Sequence, residues 1–306
     1  MHLPDLIAAL IDKAPAGVRW CGAIAKRLRQ FNIALDGKHS GSSMTDALTL
    51  ADLSVQELLV AYLRDADPIF RECKILAEET TGDLTRFATE GPYTLAIDPI
   101  DGTKQYRDRT GNGYSIILTL QSFETVHYSL VFIPEEGEFG TWVQASGDSI
   151  VCGPDDPSRP ARDVLRSLPG YTRENRPASK NIYLIGFQKR DEECAKMVTG
   201  LGLRGYHQDE MPGCLYSLLA RGDFAGSLIH SPNIYDFPAG MHLARILGGD
   251  AIWVHNRQPV RFEGLWMDER ANMLRLPGIV ACSPNRQILD QLATLARDWN
   301  PVRYAD

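Results

Sequence analysis

Apolar residues recur at helical spacing along the first part of the chain, and this pattern predicts two helices. The first is predicted over residues 4 to 31, with an interruption at 15 to 17 where Pro15 and Gly17 stand. The second is predicted over residues 50 to 64. The polar stretch between them, residues 36 to 43, is interpreted either as a plain surface loop or as a lid or metal-binding flap beside an active site.

The pattern then changes to short apolar runs that are typical of β-strands. Residues 70 to 77 are predicted to be a strand or an irregular segment. Residues 93 to 97 are predicted to form a buried strand that ends at Pro99, because proline cannot donate to a sheet ladder. Further β segments are predicted over residues 115 to 120, 125 to 133 and 139 to 145.

Residues 153 to 180 are rich in proline and charge, and we predict the boundary between two domains there, with residues 1 to 152 before it and 153 to 306 after it. Beyond the boundary, strands and helices alternate. The predicted strands are 182 to 187, 224 to 229, 251 to 254 and 279 to 282, and the predicted helices are 191 to 199, 213 to 220, 236 to 247 and 284 to 299. We therefore expect an α/β protein with an α+β first half and an α/β second half.

The composition is that of an ordinary globular protein, with 44% hydrophobic and 23% charged residues. The formal net charge of −7 argues against a nucleic-acid polymer or a membrane as the main partner. It does not argue against a phosphorylated small molecule, because bound metals reverse the local charge. No apolar stretch approaches the roughly 20 residues of a membrane span. The six cysteines form no CxxC pair, so we expect reduced thiols in a cytoplasmic protein.

Two aspartates, Asp98 and Asp101, stand on a tight turn directly after the strand predicted at residues 93 to 97. Their carboxylates repel each other unless a cation lies between them, and Mg²⁺ prefers oxygen ligands of this kind. We interpret the pair as a magnesium site for phosphate chemistry. Pro99 occupies the position of the nucleophile in the haloacid-dehalogenase motif Asp-x-Asp-Gly-Thr, so an aspartyl-phosphate route is not expected.

Three other places in the sequence supply candidate ligands, and each also has an ordinary structural interpretation. Asp52 could be a charge at a helix start, where it suits the helix dipole. Glu78 and Glu79 could belong to a solvated acidic loop. Asp236 could be the N-cap of the helix that follows it.

Taken together, these motifs resemble the inositol monophosphatase superfamily of magnesium-dependent, lithium-sensitive phosphatases. The resemblance runs in order along most of the chain and implies a layered αβαβα sugar-phosphatase fold and a possible homodimer. The segments that carry it are Leu-Thr-Leu-Ala-Asp at 48 to 52, Ala-Glu-Glu at 77 to 79, Asp-Pro-Ile-Asp-Gly-Thr at 98 to 103, Gly-Cys at 213 to 214 with Ala-Arg-Gly-Asp at 220 to 223, and Ile-Tyr-Asp-Phe-Pro-Ala-Gly at 234 to 240.

The resemblance also implies a role for individual residues. The implied ligands of two or three Mg²⁺ ions are Glu78, Asp98, the Ile100 carbonyl, Asp101 and Asp236. Thr103 would orient the attacking water, and Asp52 would hold the Thr103 hydroxyl. Glu78 would act beside them in catalysis. The implied contacts to the substrate are Gly102, Thr103, Lys104 and Asp236.

The chain departs from the family pattern at Cys214, Tyr235 and Pro238, which replace serine, tryptophan and alanine. Lys104, with Tyr106 two places later, is more similar to the 3′(2′),5′-bisphosphate nucleotidase branch. We therefore expect a substrate such as adenosine 3′,5′-bisphosphate, whose second phosphate would meet Lys104. The alternatives are an inositol or sugar monophosphate with Lys104 as a solvated surface lysine, and a catalytically retired member that senses a phosphorylated metabolite.

Overall fold

The structure, a computed structural model, describes residues 2 to 31, 33 to 35, 48 to 110 and 113 to 304. The loop predicted at residues 36 to 43 lies outside the described residues. The α-helices are α1 Leu3–Phe31, α2 Leu50–Ala66, α3 Thr103–Asp108, α4 Ala161–Ser167, α5 Asp191–Thr199, α6 Leu215–Arg221, α7 Phe237–Ile246 and α8 Arg286–Ala296.

The strands form two main sheets and one hairpin among the described residues. They are β1 Lys74–Ala77, β2 Thr94–Asp101, β3 Ser115–Gln121, β4 Val126–Ile133, β5 Thr141–Ser146, β6 Ser149–Pro154, β7 Gly170–Tyr171, β8 Asn181–Ile185, β9 Arg204–His207, β10 Gly226–His230, β11 Asp250–Trp253, β12 Trp266–Asp268, β13 Met273–Arg275 and β14 Ile279–Ser283. The first sheet contains β1 to β7 in chain order, and the second has the order β11-β14-β10-β8-β9.

The helices and sheets stack in five layers, which confirms the predicted αβαβα architecture. Helices α1, α2 and α4 pack on one face of the first sheet, and α6 and α7 pack on its other face. Helix α7 also contacts the second sheet through β11 and β14, so it lies between the two sheets. Helices α5 and α8 cover the outer face of the second sheet.

Helix α1 is continuous, so the interruption predicted at residues 15 to 17 is wrong. Pro15 lies buried inside the helix, and Gly17 faces α2 at very close range. A Cβ atom on Gly17 would lie 2.3 Å from a ring carbon of Tyr62. The glycine therefore serves close helix packing rather than a break in the helix.

Strand β2 continues past Pro99 to Asp101, so the strand end predicted at the proline is also wrong. The register against β3 shifts there, because Asp98 pairs with Ile117 whereas Asp101 pairs with Ser115. A β-bulge of this kind accommodates a proline, which has no N–H to donate to the ladder. Helix α3, which follows at once, was not predicted.

The chain passes from the first sheet to the second between Tyr171 and Asn181, inside the segment predicted to hold the boundary. Strand β7 still belongs to the first sheet, and β8 begins the second. The boundary predicted at residues 152 and 153 stays a prediction. All six cysteines are buried and free, as expected from their spacing. Among the described residues, no helix has both the length and the apolar character to cross a membrane.

Candidate active site

A cleft of about 190 Å³ is lined by residues of both main sheets and of the segments that follow their strands. It brings together eight of the nine site residues predicted from the sequence: Glu78, Asp98, Ile100, Asp101, Gly102, Thr103, Lys104 and Asp236. Asp52, the ninth, lies behind Thr103 and is buried.

Three carboxylates meet in the wall of the cleft. One carboxylate oxygen from each of Asp98, Asp101 and Asp236 lies within 4.8 Å of the other two. Asp98 is buried, while Asp101 and Asp236 keep partial exposure. Because β2 supplies the first two and the residue before α7 supplies the third, the cluster depends on both halves of the chain.

Neighbouring donors orient two of these carboxylates. Ser115 Oγ donates to Asp101 Oδ2 at 3.0 Å, and Asn233 Nδ2 donates to Asp236 Oδ2 at 3.0 Å. Asp236 does stand at the N-cap position of helix α7, but its side chain makes no capping hydrogen bond to the helix. The carboxylate instead faces the cluster.

Burial and mutual repulsion raise the pKa of all three aspartates. Burial raises the pKa of Asp98 well above its usual range, and the charges of Glu78, Asp101 and Asp236 raise it further. Burial raises the pKa of Asp101 to about 6, although Ser115 opposes this. Burial and then the charge of Asp101 raise the pKa of Asp236 to about 8. A cation among these oxygens would relieve the repulsion, and an all-oxygen donor set suits Mg²⁺.

Glu78 and Glu79 are both buried, so the interpretation of a solvated acidic loop is wrong. Glu78 follows β1, and its backbone N–H donates to Ile97 O at 3.2 Å. Its carboxyl group shares a hydrogen bond with Asp98, which brings a fourth carboxyl group to the cluster. The Glu79 backbone N–H donates to Gln56 Oε1 at 2.8 Å.

Asp52 serves both a helix start and the cleft. Its Oδ2 accepts from the Thr49 N–H at 2.7 Å and from the Thr49 hydroxyl at 2.6 Å, within the capping box of α2. Its Oδ1 lies 3.0 Å from the Thr103 hydroxyl, which also lies 2.9 Å from Ile100 O. Burial is the main cause that raises the pKa of Asp52 to about 7. The two interpretations of Asp52 are therefore compatible.

Lys104 lies in the cleft wall with 21% of its side chain exposed, so it is not a solvated surface lysine. Its Nζ lies 3.6 Å from Asp108 Oδ2 and 3.7 Å from Asp209 Oδ1. Gly102, just before it, has a positive φ of 86°, which favours glycine at the start of α3. The Lys104 charge is thus shared with carboxylates of both halves.

Of the three departures from the family pattern, Cys214 is the one that lines the cleft. Its Sγ lies 3.8 Å from Ser115 Oγ, and burial raises the pKa of the thiol, so it is not an activated nucleophile. Pro238 stands in the first turn of α7, where the missing N–H costs little. Tyr235 is buried in an apolar cluster with residues of α7, β11 and β14.

Several residues of the second half line the cleft although the sequence did not predict them there. Asn233, which orients Asp236, stands just before the motif at residues 234 to 240 and could have been found from that position. Arg275 and Arg303 also line the cleft. No local motif marks either arginine, because only the packed fold brings them to this wall.

Comparison with known proteins adds a family and a fold. A family model described as the inositol monophosphatase family matches residues 11–298. A search of curated proteins finds no match.

Several solved structures share the fold. Inositol monophosphatase from Anabaena (Nostoc) sp. is 16% identical, with 97% of this chain and 98% of that chain covered and a TM-score of 0.63. CysQ from Bacteroides thetaiotaomicron, a bacterial member of the inositol monophosphatase family, is 16% identical, with 91% and 98% covered and a TM-score of 0.60. SaIMPase-II bound to inositol monophosphate is 15% identical, with 92% of each chain covered and a TM-score of 0.59. A second SaIMPase-II structure holds 2′-AMP.

Proposed function

The chain belongs to the inositol monophosphatase family, and from this premise we propose that its acidic cleft hydrolyses a phosphate monoester of a small metabolite. The family is one of magnesium-dependent phosphatases, so the chain is a phosphatase of that family. The observation that carries the proposal is the approach of the Asp98, Asp101 and Asp236 carboxylates to within 4.8 Å in a cleft wall.

The residues of the cluster fit the family's cation. Four carboxyl groups meet there, and burial together with mutual repulsion raises the pKa of the three aspartates. When bound, Mg²⁺ would neutralise phosphate oxygens and lower the pKa of the attacking water. The residues that would hold two or three such ions are Glu78, Asp98, Asp101, Asp236 and the carbonyl group of Ile100.

Thr103 is the residue best placed to orient water. Its single hydroxyl proton is donated to Asp52 or to Ile100 O, so its lone pairs stay available to accept a hydrogen bond from a water molecule. Asp52, held in turn by the capping box of α2, fixes the direction of that hydroxyl. The N–H groups of Gly102 and Thr103 at the same turn are suited to donate to phosphate oxygens.

We propose a bisphosphorylated nucleotide such as adenosine 3′,5′-bisphosphate as the substrate. The position of Lys104 in the cleft wall and its similarity to the nucleotidase motif support this choice. An inositol or sugar monophosphate is the second candidate, because the related SaIMPase-II holds inositol monophosphate in one structure and 2′-AMP in another.

Two further proposals concern the surroundings of the protein. Six free, buried cysteines favour a reducing compartment, and we propose the cytoplasm. The homodimer expected from the family resemblance stays a prediction.

The substrate is tested by phosphate release from adenosine 3′,5′-bisphosphate, 2′-AMP, inositol 1-phosphate and a sugar phosphate, each with Mg²⁺ and with EDTA. We expect release that depends on Mg²⁺ and is fastest with the bisphosphate. Equal rates on all esters would contradict the nucleotidase proposal. Binding of these esters without any release would favour the retired sensor instead.

The site is tested by Asp98→Asn. We expect this variant to lose about a thousandfold or more in turnover, because the cluster loses a ligand charge at its centre. The fold should persist, since the substitution also removes repulsion among buried carboxylates. Asp148→Asn, on the exposed turn after β5, is the matched control and should keep full turnover. A folded Asp98→Asn protein with normal turnover would end this assignment.

A further inference from the structure

Among the described residues, three lysine or arginine side chains line the cleft, and they differ in the groups that neutralise their charges. Lys104 is shared between two carboxylates, as described above. Arg275 is buried, and its Nε donates to Asp268 Oδ2 at 2.7 Å. Arg303 differs from both, because its hydrogen bonds go to uncharged groups, namely two backbone carbonyl oxygens and the Tyr304 side chain.

The Arg303 guanidinium lacks a carboxylate of its own. Its Nη1 donates to His230 O at 2.5 Å and contacts Gly186 O at 3.5 Å. Its Nε is buried without a hydrogen-bond partner, and the guanidinium also interacts with the neighbouring Tyr304 side chain. The side chain is only 6% exposed. A charged group this deeply placed normally has its donors satisfied.

The nearest carboxylate to Arg303 already serves other donors. Asp268 Oδ2 lies 3.9 Å from Arg303 Nε, but it accepts closer hydrogen bonds from Arg275 and from the Tyr304 hydroxyl at 2.8 Å. Asp191 also lines the cleft and feels the Arg303 charge, and its carboxylate accepts the Phe187 N–H. The Arg303 guanidinium is therefore paired only at 3.9 Å, with a carboxylate oxygen that already accepts two closer hydrogen bonds.

The fold fixes Arg303 in this position. Gly186 has a positive φ of 92°, and a Cβ there would lie 2.5 Å from His230 O and 2.8 Å from Arg303 Nη1. The chain just before Arg303 is anchored, because Trp299 packs edge-on against Phe187 with ring centroids 5.3 Å apart. The missing side chain at residue 186 and this anchor together make room for the guanidinium in the wall.

We propose that Arg303 binds a second phosphate group of the substrate, distinct from the phosphate that is hydrolysed. This rests on the proposed phosphatase function and narrows its substrate to metabolites with two phosphates. The hydrolysed phosphate belongs at the acidic cluster of Asp98, Asp101 and Asp236, whereas the carboxylate nearest to Arg303 is Asp268, outside that cluster. A phosphate oxygen would supply the close anion that the shared Asp268 carboxylate does not provide, and a guanidinium suits phosphate better than an ammonium does.

The test compares Arg303→Gln and Arg303→Lys with the wild type on adenosine 3′,5′-bisphosphate and on 3′-AMP, which lacks the second phosphate. We expect Arg303→Gln to lose about tenfold or more in kcat/KM on the bisphosphate, mostly through KM. Its kcat/KM on 3′-AMP should stay unchanged, and Arg303→Lys should recover part of the loss. Arg297→Gln, an exposed arginine of the same terminal segment, should match the wild type on both substrates.

Calorimetric binding of adenosine 3′,5′-bisphosphate provides a readout that does not depend on turnover. It is measured on Thr103→Val protein with and without Arg303→Gln, and the second change should weaken binding about tenfold or more. Equal losses on both substrates, or no loss on either, would overturn the proposal and leave the phosphatase function intact. If the wild type released no phosphate from any ester, the phosphatase function would fail, and the calorimetry would still decide whether Arg303 binds the second phosphate. Thermal melting of each variant checks that it is folded.

Discussion

At the scale of single residues, Asp52 shows why a structural and a functional interpretation of one side chain need not exclude each other. One carboxylate oxygen completes the capping box of α2 with Thr49, and the other lies 3.0 Å from the Thr103 hydroxyl. The helix start thereby fixes the side chain that orients Thr103. Local sequence could suggest the first role, whereas the second requires β2 and α2 to pack together.

Thr103 offers a direct test of this arrangement. We expect Thr103→Val to lower kcat by about a hundredfold or more, because the valine side chain offers no oxygen to orient the attacking water. Thr103→Ser keeps the hydroxyl and should stay within about tenfold of the wild type. Phosphate release gives kcat, and the stabilisation of each variant by Mg²⁺, measured as a Tm shift, should be unchanged. If the valine and serine variants were equally active, Thr103 would have no role in orienting water.

The predictability of the site depends on how far apart its residues are in the chain. Asp98 and Asp101 share one turn, so their charge and spacing could be interpreted locally. Asp236 was one of several candidate ligands and could equally be a helix N-cap, and only the resemblance assigned it to the same site as Asp98 and Asp101, although the three carboxylates lie equally close together. Arg303 has no local signal, because its position depends on a glycine more than one hundred residues earlier.

At the scale of secondary structure elements, glycine and proline were the main sources of error. Both residues are ordinary signs of a break, yet Pro15 and Gly17 lie inside a continuous helix and Pro99 lies inside a strand with a bulge. In each case tertiary packing outweighs the local preference. A glycine in a helix can be required by a neighbouring ring as well as by a turn, and the sequence pattern alone does not distinguish the two.

The contact of α1 with α2 gives the test at this scale. We expect Gly17→Ala to destabilise the protein by about 1–3 kcal/mol, because its Cβ would overlap the Tyr62 ring and force repacking. Gly240→Ala in α7 is the matched control, since its Cβ would lie at an ordinary 3.9 Å from Tyr216, and alanine favours the helix. Chemical denaturation of both variants measures the difference. An unchanged free energy of unfolding for Gly17→Ala would show that close packing against Tyr62 does not require a glycine at residue 17.

At the scale of the whole molecule, the cleft is lined by residues of both main sheets, and helix α7 lies between these sheets and contacts both. The alternation of strands and helices predicted the second half, and the resemblance predicted the five layers. The order of the strands in the second sheet could not be predicted, because it depends on crossovers that the periodicity of a single strand does not encode. The acidic cluster joins these two halves, so its charge state bears on the stability of the entire fold.

The charge of the cluster also gives the stability of the metal-free protein a pH dependence. The pKa is about 6 for Asp101 and about 8 for Asp236 in the fold, above the ordinary 3.8. A pKa raised by folding contributes stability that is full below 3.8 and is lost as the pH rises through the folded value. Buried His230 and His242, with pKa values lowered to about 4 and about 3, lose their contribution in the opposite direction, as the pH falls below 6.5.

We therefore expect the ionisation of Asp101 and Asp236, which places negative charges beside other carboxylates, to lower the Tm of EDTA-treated protein as the pH rises from 5 to 8. Mg²⁺ binds the ionised carboxylates, so the rise in Tm that it causes should grow over the same range. Asp236→Asn should flatten the pH dependence of the metal-free protein and shrink the Mg²⁺ effect, whereas Asp148→Asn should change neither. Calorimetric melting at each pH measures both quantities. Parallel pH profiles for the wild type and Asp236→Asn would show that repulsion within the cluster does not limit the stability of the fold.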